Sequence, residues 1–210
     1  MADWTTISSL ATAGGTLVLA VATYSAVRSS NRSARVAERA IEVGMRPVIM
    51  SSRFQDEPEK VGWMDEHWAK VPGGGGYAEE VNGIVYLAAS LRNVGNGIAV
   101  FQGWYPVGEW LDGAQPHPEP DEFRRQSRDL YIPPGGVGFW QGALRDRDDA
   151  SYSPVLTAIK GRQRFTVDLL YSDHEGGQRA ISRMALTPRQ ESGWMCTVGR
   201  VWNLDRVDPR

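Results

Sequence analysis

The sequence predicts a mainly β protein. A transmembrane and juxtamembrane helix occupies residues 1–46, and an antiparallel, Ig-like β-sandwich with long loops and one short helix occupies residues 47–210. Three observations carry this. Residues Trp4 to Val27 are 24 consecutive uncharged positions, closed by a run of arginines. Beyond Pro47 the apolar residues recur with the period of two that a strand requires. Clusters of Gly, Asn and Pro break those runs at short intervals, as hairpins do.

The first element is the uncharged run. As a helix it rises about 36 Å, enough to cross a ~30 Å hydrocarbon core with some tilt. Thr5, Thr6, Ser8, Ser9, Thr12, Thr16, Thr23 and Ser25 dilute it, and Gly14-Gly15 interrupt it. Hydroxyls of Ser and Thr can bond back to the helix backbone, and glycine is commoner in membrane helices than in soluble ones. Trp4 fits the outer interface, where an amphipathic ring is favoured. Only Asp3 precedes the run as an ionisable side chain, which is the wrong charge for a signal-peptide leader.

The basic flank is patterned. Arg28, Arg32, Arg35 and Arg39 step by four, three and four residues and so fall on one stripe of a helix, and Arg46 follows. The pairs Arg35/Glu38 and Arg39/Glu42 support that helix weakly. Gly44 suits its C-terminal cap, and Pro47 ends it. The stripe predicts a cytoplasmic C-terminal part and an outer N-terminus in a bacterial cell membrane. Two readings of the stripe stand side by side: it fixes topology alone, or it also attracts an anionic leaflet at about 1 kcal/mol per arginine near the surface. Ala11 and Gly15 form one small-xxx-small pair, a weak signal for self-association into a homo-oligomer.

The strands follow in order. Pro47 to Met50 opens the domain, and Ile84 to Leu91 is the next. Arg92 to Gly97 reads as a tight turn with positive-φ residues, and Ile98 to Trp104 as the strand returning beside it. Phe139-Trp140 lies behind the turn Pro133 to Gly136. Ser153-Pro154 reads as an N-cap with proline at the first helical position, opening a short helix to Ile159 that stops before Gly161. The plainest hairpin pairs Arg164–Tyr171 with Gln178–Leu186 around a turn at 172–177. In it Phe165, Val167, Leu169 and Tyr171 form one face, predicted to meet Ile181 and Met184 or their neighbours, while Leu170 hints that the other face is partly covered. Trp194 to Trp202 closes the sheet.

Two segments exceed a minimal sandwich: residues 53–80, with Trp63, Trp68 and the run Gly73 to Gly76, and residues 105–129, rich in proline. Trp63 and Trp68 are the candidates for a protein-partner surface, since aromatics bury much area at low entropy cost. The glycine run lacks the Lys-Ser or Lys-Thr of a P-loop and reads as a flexible loop.

Other chemistry is sparse. Residues 47–210 carry 18 basic and 22 acidic side chains, which argues against nucleic acid. The chain's mean hydropathy of −0.37 makes this part soluble in character despite the apolar run. One cysteine, Cys196, excludes an internal disulfide and an all-thiolate metal site, and it reads as a small buried apolar residue. The three histidines match no metal motif, and no Gly-x-Ser-x-Gly elbow supplies a nucleophile. Asp65-Glu66-His67 and Asp173-His174-Glu175 read as solvated turns. Catalytic, cofactor and metal residues are therefore expected to be none.

The run TAGGTLVLAVATYSAVRSSNRSARVAERA, the segment LAASLRNVGNGIAVFQGW, the piece VDLLYSDHEGGQRAISR and the ending VWNLDR together resemble a group of uncharacterised actinobacterial membrane-anchored proteins. The resemblance implies one N-terminal membrane helix followed by a β-sandwich, and no activity or functional residue. The whole points to a membrane-anchored cytoplasmic interaction or scaffold module. A second reading is a membrane sensor or effector whose sandwich binds a small ligand and signals through self-association.

Overall fold

The computed structural model of the chain describes residues 3–190 and 192–205, with the side chains of residues 4–12, 42 and 43 outside that description. The chain divides into two compact units after Gly44.

The first unit is one helix, α1, Trp4–Gly44. No proline interrupts its 41 residues, so the backbone ladder can run through, and Gly14 and Gly15 are tolerated within it. Thr23 Oγ1 donates to the Leu19 carbonyl at 2.8 Å and Ser25 Oγ to Ala22 at 2.8 Å, so these hydroxyls are satisfied locally. The predicted span and basic flank thus form a single element. No helix among the described residues is long and apolar enough to cross a membrane. Threonine, serine and glycine lower its hydropathy, and residues 4–12 of the expected span, with Trp4, lie outside the described side chains. So do Glu42 of the Arg39/Glu42 pair and the last residue of VWNLDR.

The second unit is built on an antiparallel sheet in two halves. One half contains β1 (Ile49–Ser51), β4 (Gly75–Val81), β5 (Ile84–Asn93) and β9 (Val137–Leu144), all paired through β5 or its neighbour. The other contains β6 (Ala99–Val107), β7 (Arg124–Arg125), β8 (Tyr131–Ile132), β10 (Phe165–Ser172), β11 (Ala180–Pro188) and β12 (Trp194–Asn203). An Ig-like sandwich keeps its two sheets apart. Here the pairs Trp194↔Gly76 and Met195↔Gly75 join the halves into one ten-stranded sheet. The joined sheet packs on itself in a sandwich-like manner, with Trp104 of β6 against Trp140 of β9 at 5.5 Å between ring centroids. The open seam is stitched by Gln126. Its N–H donates to Gln102 O, its Nε2 to Gln141 O, and its Oε1 accepts from Trp140 Nε1.

The inner core takes Val85, Leu87, Ala89 and Leu91 from β5 and Phe165, Val167, Leu169 and Tyr171 from β10. The last four share a face as their alternation requires. Helix α2, Tyr152–Lys160, adds Tyr152, Val155 and Ala158. It starts earlier than predicted, with Ser151 as N-cap, so Ser153 and Pro154 sit in its first turn, and Gly161 is its C-cap.

The connection at 93–99 departs from expectation. β6 does not return beside β5; it crosses to the other half and pairs with β10. None of Gly95, Asn96 and Gly97 has positive φ. The glycines are needed for close approach instead, because a Cβ on Gly97 would lie 1.7 Å from Met45 O and one on Gly95 2.2 Å from Arg46 O. Asn93, fully buried, organises the corner. Its Oδ1 accepts from Val48 and Gly95 N–H, and its Nδ2 donates to Gly97 O and Ile132 O. That uses both donors and both lone pairs of the amide.

The long segments cover the outer faces of the sheet. In the first, β2 (Glu59–Gly62) and β3 (Trp68–Val71) form a hairpin that buries Val61, Trp63, Ala69 and Val71 against Tyr86 and Ala88. In the second, Phe123 packs with Leu170, Ile181 and Trp202. β10 is therefore buried along both faces rather than half-buried. Ile181 sits opposite Leu170 on this outer face, and only Met184 joins the inner core. The glycine run is not a flexible loop. Gly74 holds φ +63°, its N–H donates to Ser52 Oγ, and its carbonyl accepts from Cys196 N. Gly75 and Gly76 begin β4.

Candidate functional site

The alternation Lys60-Val61-Gly62-Trp63 and Trp68-Ala69-Lys70-Val71 decides what the β2–β3 hairpin presents. Val61, Trp63, Ala69 and Val71 turn inward. Lys60, Trp68 and Lys70 turn outward. Trp63 is 6 % exposed and donates from Nε1 to Gly142 O at 3.0 Å, so it belongs to the core and not to a partner surface. Trp68 is 59 % exposed. Its ring lies where a Cβ on Gly62 would meet it at 2.5 Å, so a larger residue at 62 would displace the ring. The Lys60 ammonium stands 4.8 Å from the ring centroid, a cation–π contact.

In the turn of the hairpin Asp65 and Glu66 are exposed, as a solvated turn requires, but Asp65 and the half-buried His67 also hold the turn to the sheet. Asp65 Oδ2 accepts from the Tyr86 hydroxyl at 2.6 Å and from Arg145 at 3.0 Å. His67 stacks on Tyr86 at 4.0 Å, and its Nε2 meets the Tyr77 hydroxyl at 2.9 Å. Tyr77 in turn donates to Glu79, which leaves its oxygen to accept from His67. Burial, then the hydrogen bond and charge of Asp65, push the Tyr86 phenol up to about 12. Burial and Glu79 push Tyr77 up as well. Desolvation works against ionised Asp65, but Tyr86, its own backbone amide and Arg145 outweigh it and hold the carboxyl below its ordinary value. Phenols with raised pKa values are poor acids and poor nucleophiles at neutral pH. The network clamps the hairpin to the sheet.

A second constellation, on the outer face of the other half, escaped the sequence reading. Arg183 and Asp168 are buried and bonded in parallel, Nε to Oδ1 at 2.9 Å and Nη2 to Oδ2 at 2.7 Å. The remaining guanidinium protons go to Asp112 O, Gln115 O and Pro116 O, so all five donors are used. Trp202 lies 4.7 Å from the guanidinium, with His117 edge-on to the same ring. Burial raises the pKa of Asp168 and Arg183 opposes that rise. The arrangement fixes residues 111–118 over the sheet, with every guanidinium donor of Arg183 committed to the protein.

The remaining sequence candidates are simply placed. Arg28, Arg32, Arg35 and Arg39 are exposed on α1. His174 to Gly177 are exposed, whereas Asp173, predicted to share that exposure, is buried and its Oδ1 accepts from Gly177 N; no group of three metal-type ligands occurs among the described residues. An open groove of about 490 Å³ runs between the end of β6 and the start of α2, with Tyr105, Val107, Glu109, Ser151 and Thr157 in its walls. Cys196 is buried in β12, and desolvation pushes its thiol up to about 12. It should therefore resist iodoacetamide in the folded protein and react once the chain is unfolded in denaturant. Rapid labelling of native protein at neutral pH would contradict that burial.

No known protein family, curated protein or solved structure matches the chain. The functional reading therefore rests on the geometry.

Proposed function

We propose that the chain is a membrane-anchored interaction or scaffold module, with α1 as anchor and the β unit as its cytoplasmic binding part. The observation that carries this is the exposure of Leu17, Val18, Leu19, Val21, Tyr24 and Val27 around α1, each at 53 % or more. Such a length of apolar helix surface requires a cover, and water is a poor one. The uncharged positions Trp4 to Val27 on one side and Arg28, Arg32, Arg35 and Arg39 on the other suit a bilayer with its positive flank inside. The resemblance to one-helix, β-sandwich proteins implies the same arrangement, including an Ig-like character for the sandwich. The absence of a sufficiently apolar stretch among the described residues weighs against the span, so the test addresses insertion itself.

The full chain should stay in the membrane fraction through an alkaline carbonate wash, and a C-terminal reporter active only outside the cytoplasm should stay silent. Recovery in the wash would show that α1 is covered by protein rather than lipid. An active reporter would reverse the orientation.

A further inference from the structure

We propose that the outward face of the β2–β3 hairpin is a second membrane contact, in which Trp68 and Met64 enter the headgroup layer and Lys60 and Lys70 take the phosphates of anionic lipid. This rests on the anchor reading and names what part of the β unit would touch.

Four observations converge on that face. Lys60 and Lys70 are directly opposite one another in the antiparallel register, on the same side of the hairpin. Like charges directly opposite destabilise a strand pair, so the arrangement costs stability where it stands. Neither ammonium enters an ion pair among the described residues. Asp65, in the hairpin turn, is committed to Tyr86 and Arg145. The chain holds only three lysines against twenty arginines, and two of the three are here. Arginine makes this protein's ordered forks, whereas lysine is a rotatable point charge suited to phosphates that move.

The apolar part is built to lie flat. Trp68 rests against Gly62, and Met64 projects from the hairpin turn at 88 % exposure. Tryptophan is favoured at the headgroup level, where its ring is half in an apolar setting and half wet. Glu59 and Glu66 flank the face, so its charge is local and short-ranged, and contact would be weak if the protein were free in solution. Tethering by α1 changes this, because an anchored chain meets its own leaflet at a high effective concentration. Each lysine near an anionic surface shifts the docked-to-free ratio about fivefold, and the pair roughly 30-fold.

The test uses the full chain in vesicles. Met64→Cys gives one reactive thiol, since Cys196 is buried. A nitroxide placed there reports oxygen against a water-soluble nickel complex, and Glu175→Cys on the exposed turn serves as control. In vesicles with about a third anionic lipid, the label at 64 should gain oxygen and lose nickel access. The effect should fall with added salt, vanish in neutral vesicles, and vanish in K60Q/K70Q, while the label at 175 stays wet throughout. A label at 64 that stays wet on anionic vesicles, with the chain still pelleting with them, overturns the contact and leaves the anchor standing. Immobilisation at 64 that depends on protein density rather than lipid charge makes a second copy the occupant and overturns it too. A chain that remains in the supernatant overturns both readings.

Discussion

Replacing Arg183 with alanine should destabilise the β unit by about 3–5 kcal/mol, measured by denaturant unfolding of otherwise identical proteins. Removing one partner of a buried pair leaves the other charge uncompensated, and that penalty exceeds what the intact pair contributes. Asp168 is fully buried and would lose both bonds from the guanidinium. The carbonyls of Asp112, Gln115 and Pro116 would lose their donors in the same step. The deficit should depend on pH with a defined sign. Burial already raises the Asp168 pKa above its ordinary value with Arg183 present; without Arg183, only the charge of His117 opposes it and the pKa rises further. Stability from a raised pKa is present below the unfolded pKa of about 4 and is lost as pH rises through the folded value. The gap between variant and parent should thus be smallest in acid and widen toward neutral pH. A gap independent of pH would mean that the carboxyl finds another partner. The double variant D168L/R183M should cost less than R183A alone, because no lone charge is stranded. Faster amide exchange at Asp112 to Gln115 should persist in it, since those carbonyls still lack donors.

Leu169→Ala should cost about 2–5 kcal/mol, the range for removing a fully buried leucine and leaving part of a cavity. Leu169 is 0 % exposed in the inner core, between Val167 and Tyr171 on the same face of β10. His174→Ala on the neighbouring turn should lie within about 0.5 kcal/mol of the parent, because that side chain is exposed and makes only a 3.9 Å contact to Glu175. Equal effects of the two substitutions would place the strand's apolar face outside the core.

How much of this was legible differs by element. Strand alternation was readable at Phe165 to Tyr171 because period two is a local property of the chain. Pairing partners were not. The Asn-Gly cluster at 93–97 announces a turn, but nothing local says whether the chain comes back or crosses over. Long-range closeness to Met45 and Arg46 decides it. The Asp168–Arg183 pair was hidden by a slip of register. A hairpin pairing Tyr171 with Gln178 sets Asp168 against Ile181, whereas the observed pairing of Tyr171 with Ala180 sets it against Arg183. A slip of two residues keeps every side chain on its face, so the apolar pattern could not reveal it. Trp63 and Trp68 look equivalent as composition. The alternation on either side of each, Val61 with Trp63 and Lys60 with Trp68 across the hairpin, was the available signal that separated core from surface. The contacts of Asp65 and His67 could not be read at all, because Tyr77, Tyr86 and Arg145 reach them from distant positions.

The root of the β unit has a mechanical meaning. A pull along the chain at residue 45 arrives on residues 46–51, and these are sewn into both halves of the sheet. Arg46 O and Val48 O take N–H groups from the loop after β5. Ile49 N donates to the Tyr171 hydroxyl of β10, and Ser182 Oγ of β11 donates to Ile49 O. β1 is the edge strand of the sheet, paired with β5, and these side-chain bonds pass part of a load entering there to the other half.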